Sequence, residues 1–364
     1  MNKRKKHEGN LTLIGIFVVI FIPAALLLIL LGKLGLLRNP FMQFARYIVP
    51  IPESQEIELV TRGVDNIVGN GDGFTFDEST AGYELYKSLS KGCPRKDCIP
   101  SIDTPVFESV QEADSWLTQD SLVLLLKSES EIHVYPLAIL NWHEIVNDTL
   151  SGIPVTVTYC PLCGSATAFD RRVKSGNEEL TLTFGVSGYL HNSDVVMYDR
   201  ETESLWTQLL SQSVVGELEG TELKQLPVSV MQWSDVVSAY SDSSLRVLSR
   251  SVGEDEDYDL DPYGDYALTD IVSFPVEGGI DTTINPKDVV YGVTIAGQSR
   301  AYPRSDIIAS ESIVDILGST KIELSYENGE VFVRESATEN ELVATRVYWF
   351  AWFAFNPDTQ LFQN

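Results

Sequence analysis

Residues 121–170 read SLVLLLKSESEIHVYPLAILNWHEIVNDTLSGIPVTVTYCPLCGSATAFD. VLLLK (123–127) and IHVYP (132–136) are short β-rich runs around an SES turn. LAILNWHEIVND (137–148) has the spacing of one amphipathic helix, and IPVTVTY (153–159) is strongly β. The order is therefore β, β, α, β. After the tight CPLCG segment (160–164), SATAFD alternates again, and LTLTFGVSG (180–188) and DVVMYD (194–199) continue as strands between Gly and Asn turns. The fold class expected is α+β, mostly antiparallel β with a few helices.

A second stretch echoes the first. Residues 289–334 run VVYGVTIAGQSRAYP, RSDIIASESIVDILGSTKIELSY and ENGEVFVR. Tyr135 matches Tyr302 and Tyr159 matches Tyr326, both at a separation of 167. One offset at two landmarks points to two diverged internal copies. The second copy has Ser325-Tyr326-Glu327-Asn328-Gly329 where the first has Tyr159-Cys160-Pro161-Leu162-Cys163-Gly164. Glu-Asn-Gly is a good hairpin sequence, so the fold does not need the cysteines to turn this corner.

Outward from these copies, the chain of 364 residues carries 26 bases and 52 acids, a net charge of −26. Such a balance repels phosphate backbones, so nucleic-acid partners are excluded. The N-terminus differs in kind. Lys3, Arg4, Lys5 and Lys6 precede an uncharged run of 22 residues from Leu11 to Gly32, which as a helix spans roughly 33 Å. It lacks a small-residue cleavage site, so it reads as an uncleaved anchor in a lipid bilayer rather than a signal peptide. The basic tail places the N-terminus in the cytoplasm and the body outside the cell membrane. The expected organisation is a tail over 1–10, a transmembrane helix over 11–37, a juxtamembrane connector over 38–91, a first half over 92–288 and a degenerate second copy over 289–364. The part beyond residue 38 carries 20 bases against 51 acids.

Cys160-Pro161-Leu162-Cys163 is the sharpest chemical signal. Two thiols three positions apart can close a disulfide, exchange with another protein or ligate one metal ion. A thioredoxin-type site needs a helix after the first Cys, whereas SATAFD alternates like a strand. Strand, Cys-Pro-Leu-Cys-Gly, strand is how a metal knuckle is built, but a knuckle supplies only two ligands. Beyond the N-terminal tail the histidines are His133, His143 and His191. His143 is the best candidate third group, because a short connection from its helix could return it beside the thiols; as a cation it would lower a thiol pKa, and neutral it could bind an ion. Glu144 could orient that imidazole but adjacency alone favours solvent. His133 reads as structural and His191 as a loop candidate. Cys93 and Cys98, in KGCPRKDCIP, read as a structural disulfide; the alternative is one Cys₄ zinc site shared with Cys160 and Cys163. GEDEDYDLDPYGDY (253–266) resembles an ion loop, but Pro262 replaces the turn glycine and Leu268 the bidentate Glu, so it reads as an acidic loop. YWFAWFAFNPDTQLF (348–362) reads as a closing core element. There is no Walker loop and no Gly-x-Ser-x-Gly elbow.

YPLAILNWHEIVND (135–148), VTYCPLCGSATAFDR (157–171), TFGVSGYLHNSDVVMYDRETESLW (183–206), DPYGDY (261–266) and FAWFAFNPDT (350–359) together resemble the uncharacterised domain-of-unknown-function 3179 family. The resemblance covers roughly residues 92–364 in order. Some members carry selenocysteine in the Cys-x-x-Cys segment and are labelled selenoproteins. That implies a redox role for Cys160 and Cys163, with His143 as neighbour, since selenium is retained for low pKa and reactivity. Asn356 stands where the family's ending has His, and Cys93 and Cys98 are a local addition.

Three functions fit. In the first, a thiol–disulfide oxidoreductase, Cys160 and Cys163 attack and resolve a mixed disulfide with a redox partner protein, and His143 assists. The second is binding of zinc or copper by Cys160, Cys163 and His143. The third is an exported binding module that the cysteines staple.

Overall fold

The computed structural model describes residues 71–241, 244–253, 256–310 and 312–363. The expected tail, the anchor over 11–37 and the connector up to residue 70 lie outside the described residues. Among the described residues no helix is long and apolar enough to cross a membrane. The body is mostly antiparallel and mixed β-sheet with a few short helices.

The opening stretch forms β1 (Leu122–Lys127), β2 (Ile132–Pro136), α1 (Leu137–His143), β3 (Ile145–Leu150), β4 (Ile153–Cys160) and β5 (Ser165–Asp170). An insertion follows, with β6 (Phe184–His191), β7 (Asp194–Asp199), β8 (Leu205–Thr207) and β9 (Gln212–Val215) hydrogen-bonded in that order into a sheet. β10 (Val228–Gln232), α2 (Trp233–Ala239) and β11 (Leu245–Leu248) then complete the first unit.

The second unit contains β12 (Val289–Ile295), β13 (Gln298–Pro303), α3 (Arg304–Ala309), β14 (Ser312–Leu317), β15 (Thr320–Glu327) and β16 (Glu330–Glu335). It ends with β17 (Thr345–Tyr348), α4 (Trp349–Phe355) and β18 (Gln360–Leu361). Leu122 and Val289, Leu137 and Arg304, Ile145 and Ser312, and Ile153 and Thr320 begin matching elements, each pair 167 apart. Pairing matches as well as order. In the first unit β10, β1, β2 and β11 lie side by side, and in the second β17, β12, β13 and β18 do, with the last contact parallel in each. β3-β4-β5 and β14-β15-β16 are antiparallel meanders. β17 also pairs with β5, which fuses the second unit's sheet to the first unit's meander.

The helix expected over 137–148 stops at His143. Glu144 takes φ 57°, a left-handed conformation unusual for a residue with a Cβ, and turns the chain directly into β3. Ile145 and Val146 are β-branched and buried, so they are worth more in a sheet than in a continued helix. Asn147 consequently leaves the face of His143 and bonds to Asp103 and the Phe184 carbonyl.

The two units share a polar clamp, buried in the first and partly buried in the second. His133 Nδ1 lies 2.6 Å from Asp148 Oδ2, to which the Tyr135 hydroxyl donates at 2.7 Å. In the second unit the Arg300 guanidinium and the Tyr302 hydroxyl, the latter at 2.7 Å, both donate to Asp315 Oδ2. Each clamp ties the second strand of its unit to the strand after the helix. Removing the carboxylate strands its buried partners, so Asp148→Ala is expected to lower the unfolding free energy by about 3 kcal/mol. Urea unfolding of the two proteins checks this; a loss under about 0.5 kcal/mol would show that the clamp does not hold the unit together.

Candidate functional site

β4 and β5 are joined at Cys160 and Ser165, which face each other across the ladder. The four residues between them form a tight corner in which the Cys163 amide donates to the Cys160 carbonyl (3.2 Å). Gly164 takes φ 57°, and a Cβ there would stand 2.7 Å from the Tyr348 ring, so the corner needs glycine on two counts. In the second unit Glu327 and Glu330 face each other across two residues, Asn328 at φ 51° and Gly329 at φ 86°. The first corner is thus the second with two residues added, and the addition carries Cys163.

Neither Cys160 nor Cys163 is in a disulfide, and both are buried, at 1% and 0% exposure. The third group beside them is Asp194, the first residue of β7. One ligand atom from each of Cys160, Cys163 and Asp194 lies within 4.8 Å of the others. The link is local: the Cys160 thiol donates to the Ser193 carbonyl at 3.7 Å. Asp194 Oδ2 accepts from the Leu209 amide at 3.0 Å, whereas its Oδ1 is buried without a hydrogen-bond partner. Burial holds the Asp194 carboxyl well above the usual carboxylate range, against amide hydrogen bonds that pull it down. Burial likewise pushes the Cys163 thiol well up, helped by its hydrogen bond to Cys160.

Other segments close over the corner. The Cys163 carbonyl accepts from the Tyr348 amide (2.8 Å), the Gly164 carbonyl from Arg346 Nη1 (2.6 Å) and the Leu162 carbonyl from the Tyr266 hydroxyl (3.0 Å). Both cysteines lie in one apolar cluster with Val195, Val347, Trp349 and Phe350.

His143 is placed elsewhere. Its Nδ1 is 2.7 Å from the Pro100 carbonyl and its Nε2 2.7 Å from the Tyr258 hydroxyl, and burial lowers its pKa. It lines a cavity of about 390 Å³ with Asp103, Thr104 and Glu256. His133 sits in the clamp. His191 ends β6 directly opposite Asp194. Cys93 and Cys98 form a disulfide with each other, which removes the four-cysteine alternative. The described residues of the acidic segment, from 256 on, are irregular up to a short 3₁₀ turn at Tyr266–Leu268.

Two residues escaped the sequence reading. Asp194 showed only as the start of a strand, because nothing in its spacing links it to cysteines on a different sheet. Glu144, expected at the solvent, is 7% exposed and accepts from the Tyr263 hydroxyl at 2.8 Å. Burial raises its carboxyl to about 7. Its chain turn to β3 was the missing signal.

Because folding raises the Glu144 pKa from 4.5 to about 7, the folded state keeps a proton that the unfolded chain releases between those values. Stability therefore falls as pH rises through that window. Glu144→Gln abolishes this contribution, so the wild type is expected to lose about 3 kcal/mol relative to the variant on going from pH 4.5 to pH 7. Urea unfolding across the window measures it, and parallel stability curves would show that Glu144 does not titrate there.

A family model described as protein of unknown function (DUF3179) matches residues 96–359, and the match takes in both cysteines of the corner, Asp194 and the acidic segment. No curated protein and no solved structure matches. With most of its length inside that match, the chain belongs to the DUF3179 family.

Proposed function

We propose that Cys160, Cys163 and Asp194 bind one metal ion, and that zinc is the ion they suit. The observation that carries this is the buried Asp194 carboxyl, one oxygen of which lies within 4.8 Å of two free sulfurs, while its Oδ1 has no hydrogen-bond partner. A buried carboxyl beside two thiols is costly unless something cationic or a proton compensates. A zinc ion bonded to two thiolates and a carboxylate oxygen sets its ligand atoms roughly 3–4 Å apart, within the observed limit. Copper(I) prefers sulfur alone, so the carboxylate favours zinc. Binding releases the thiol protons, which makes uptake weaken as pH falls.

Thiol–disulfide exchange by Cys160 and Cys163 is the second reading, supported by the hydrogen bond between the two side chains. It asks for an accessible thiolate, whereas burial pushes Cys163 the other way. Elemental analysis and thiol counting on the purified full chain separate the two. We expect about one zinc per chain, lost in Cys160→Ser, Cys163→Ser and Asp194→Ala. A chain that takes up no zinc and carries a reversible Cys160–Cys163 bridge would overturn the metal assignment in favour of exchange.

The matching order and pairing of the two units support their descent from one duplicated unit, of which the first kept or gained the site. The Cys93–Cys98 disulfide supports an oxidising compartment, in keeping with an extracytoplasmic body behind a membrane anchor. Protease added to intact cells is then expected to degrade the body while sparing a cytoplasmic marker. Full protection, lifted only by lysis, would place the body inside.

A further inference from the structure

We propose that His191 is the fourth ligand of this ion, completing a Cys₂-Asp-His set; this rests on the metal reading above. His191 and Asp194 are directly opposed across the β6–β7 ladder, joined by Asn192 and Ser193 at φ 51° and 68°. Opposed residues of an antiparallel pair project from the same face with Cα atoms about 5.5 Å apart. Whatever ion Asp194 meets is therefore within reach of an imidazole at 191, since a bridging ion adds about 2 Å on each side and each side chain roughly another 2–3 Å. The turn between them already touches the cysteines, through the Ser193 carbonyl and the Cys160 thiol.

The second observation is the state of the two side chains. His191 Nδ1 and Asp194 Oδ1 are both buried without a hydrogen-bond partner, two orphans on adjacent positions of one hairpin. Buried polar atoms are ordinarily paired, so two side by side call for a shared partner. Asp194 is fully buried, and its unpartnered oxygen belongs to the group that converges with both sulfurs. The His191 and Phe355 rings are perpendicular, centroids 5.2 Å apart. His191 is outside the group whose ligand atoms lie within 4.8 Å of one another, so ligation requires its ring to turn from Phe355 toward Asp194. Among the described residues no other histidine fits: His143 has both nitrogens engaged, and His133, though its Nε2 has no hydrogen-bond partner, is held by Asp148.

The set is chemically coherent. Two thiolates and one carboxylate carry three negative charges, and a neutral imidazole adds a ligand without adding a fourth. A closed tetrahedral shell of four protein groups is the mark of a structural or storage site rather than one that activates water.

The test uses the full chain loaded with Co²⁺, whose visible spectrum reports both thiolate ligation and coordination geometry. In the wild type we expect thiolate charge-transfer absorption together with intense tetrahedral d–d bands. His191→Ala is expected to keep the charge-transfer band while the d–d bands change and affinity falls at least about tenfold in competition with a chelator. His191→Gln, which preserves bulk against Phe355, is expected to behave the same way, so a packing defect in the Ala variant does not decide the matter. Unchanged d–d bands and affinity in both variants would overturn the assignment of His191 while leaving the three-residue site standing. A wild type that gives no thiolate band with Co²⁺ would overturn both.

Discussion

A carboxylate and two thiols have been taken out of water together, and the surrounding structure is arranged about that fact. Asp194 is fully buried, with the Leu209 amide on its Oδ2 and no hydrogen-bond partner on its Oδ1. An ionised carboxylate in such a place is untenable without a counter-charge, and the alternatives are a retained proton or a cation. Three remote parts of the chain nevertheless spend backbone and side-chain hydrogen bonds on fixing the corner: β17 through Tyr348 and Arg346, the acidic segment through Tyr266, and the inserted hairpin through Ser193. That much support for a four-residue turn points to a constellation worth holding still.

The second unit shows how the same fold handles a buried carboxylate with protein alone. At its corner Glu330 is 1% exposed and receives the Lys127 ammonium, the Ser229 hydroxyl and the Tyr240 hydroxyl. Lys127 comes from the first unit, so the ion pair also locks one unit to the other. At the first corner the carboxylate comes from the insertion rather than from the hairpin itself, and among the described residues no lysine or arginine forms an ion pair with it. Where the second corner is neutralised by a fixed ammonium, the first presents two sulfurs. The two-residue lengthening of the turn that brings in Cys163 is also what distinguishes the cysteine-bearing corner from the plain hairpin.

Much of this was legible in the chain. The alternation in 121–170, the echo at 289–334 and the knuckle at 160–164 gave strands, order and the two cysteines, because each is a local pattern that local conformation obeys. The aromatic run after Tyr348 became a core helix for the same reason. What failed were features decided by tertiary partners. Propensity could not show that Glu144 breaks the helix, since its positive φ follows from β3 pairing with β4, which sets Ile145 opposite Thr158, a contact that helical spacing does not read. Nor could proximity along the chain give the third group beside the thiols. His143 is close to Cys160 in sequence, yet α1 points its imidazole at Pro100 and Tyr258. Asp194 is remote in sequence but arrives through the insertion, whose sheet order is set by its own hairpins.

The insertion changes what an ion at this corner accomplishes. β6–β9 form a separate sheet, held to the first unit by side-chain hydrogen bonds such as Asn147 with Phe184 and Ser165 with Gln208. The corner belongs to the first unit's meander, and that meander's last strand pairs with β17 of the second unit. An ion bound by Cys160, Cys163 and Asp194 would therefore join the insertion to the seam between the units. A binding free energy of the order of 10 kcal/mol for a thiolate zinc site exceeds the whole stability of many domains. Uptake at this corner would thus be inseparable from locking the insertion in place.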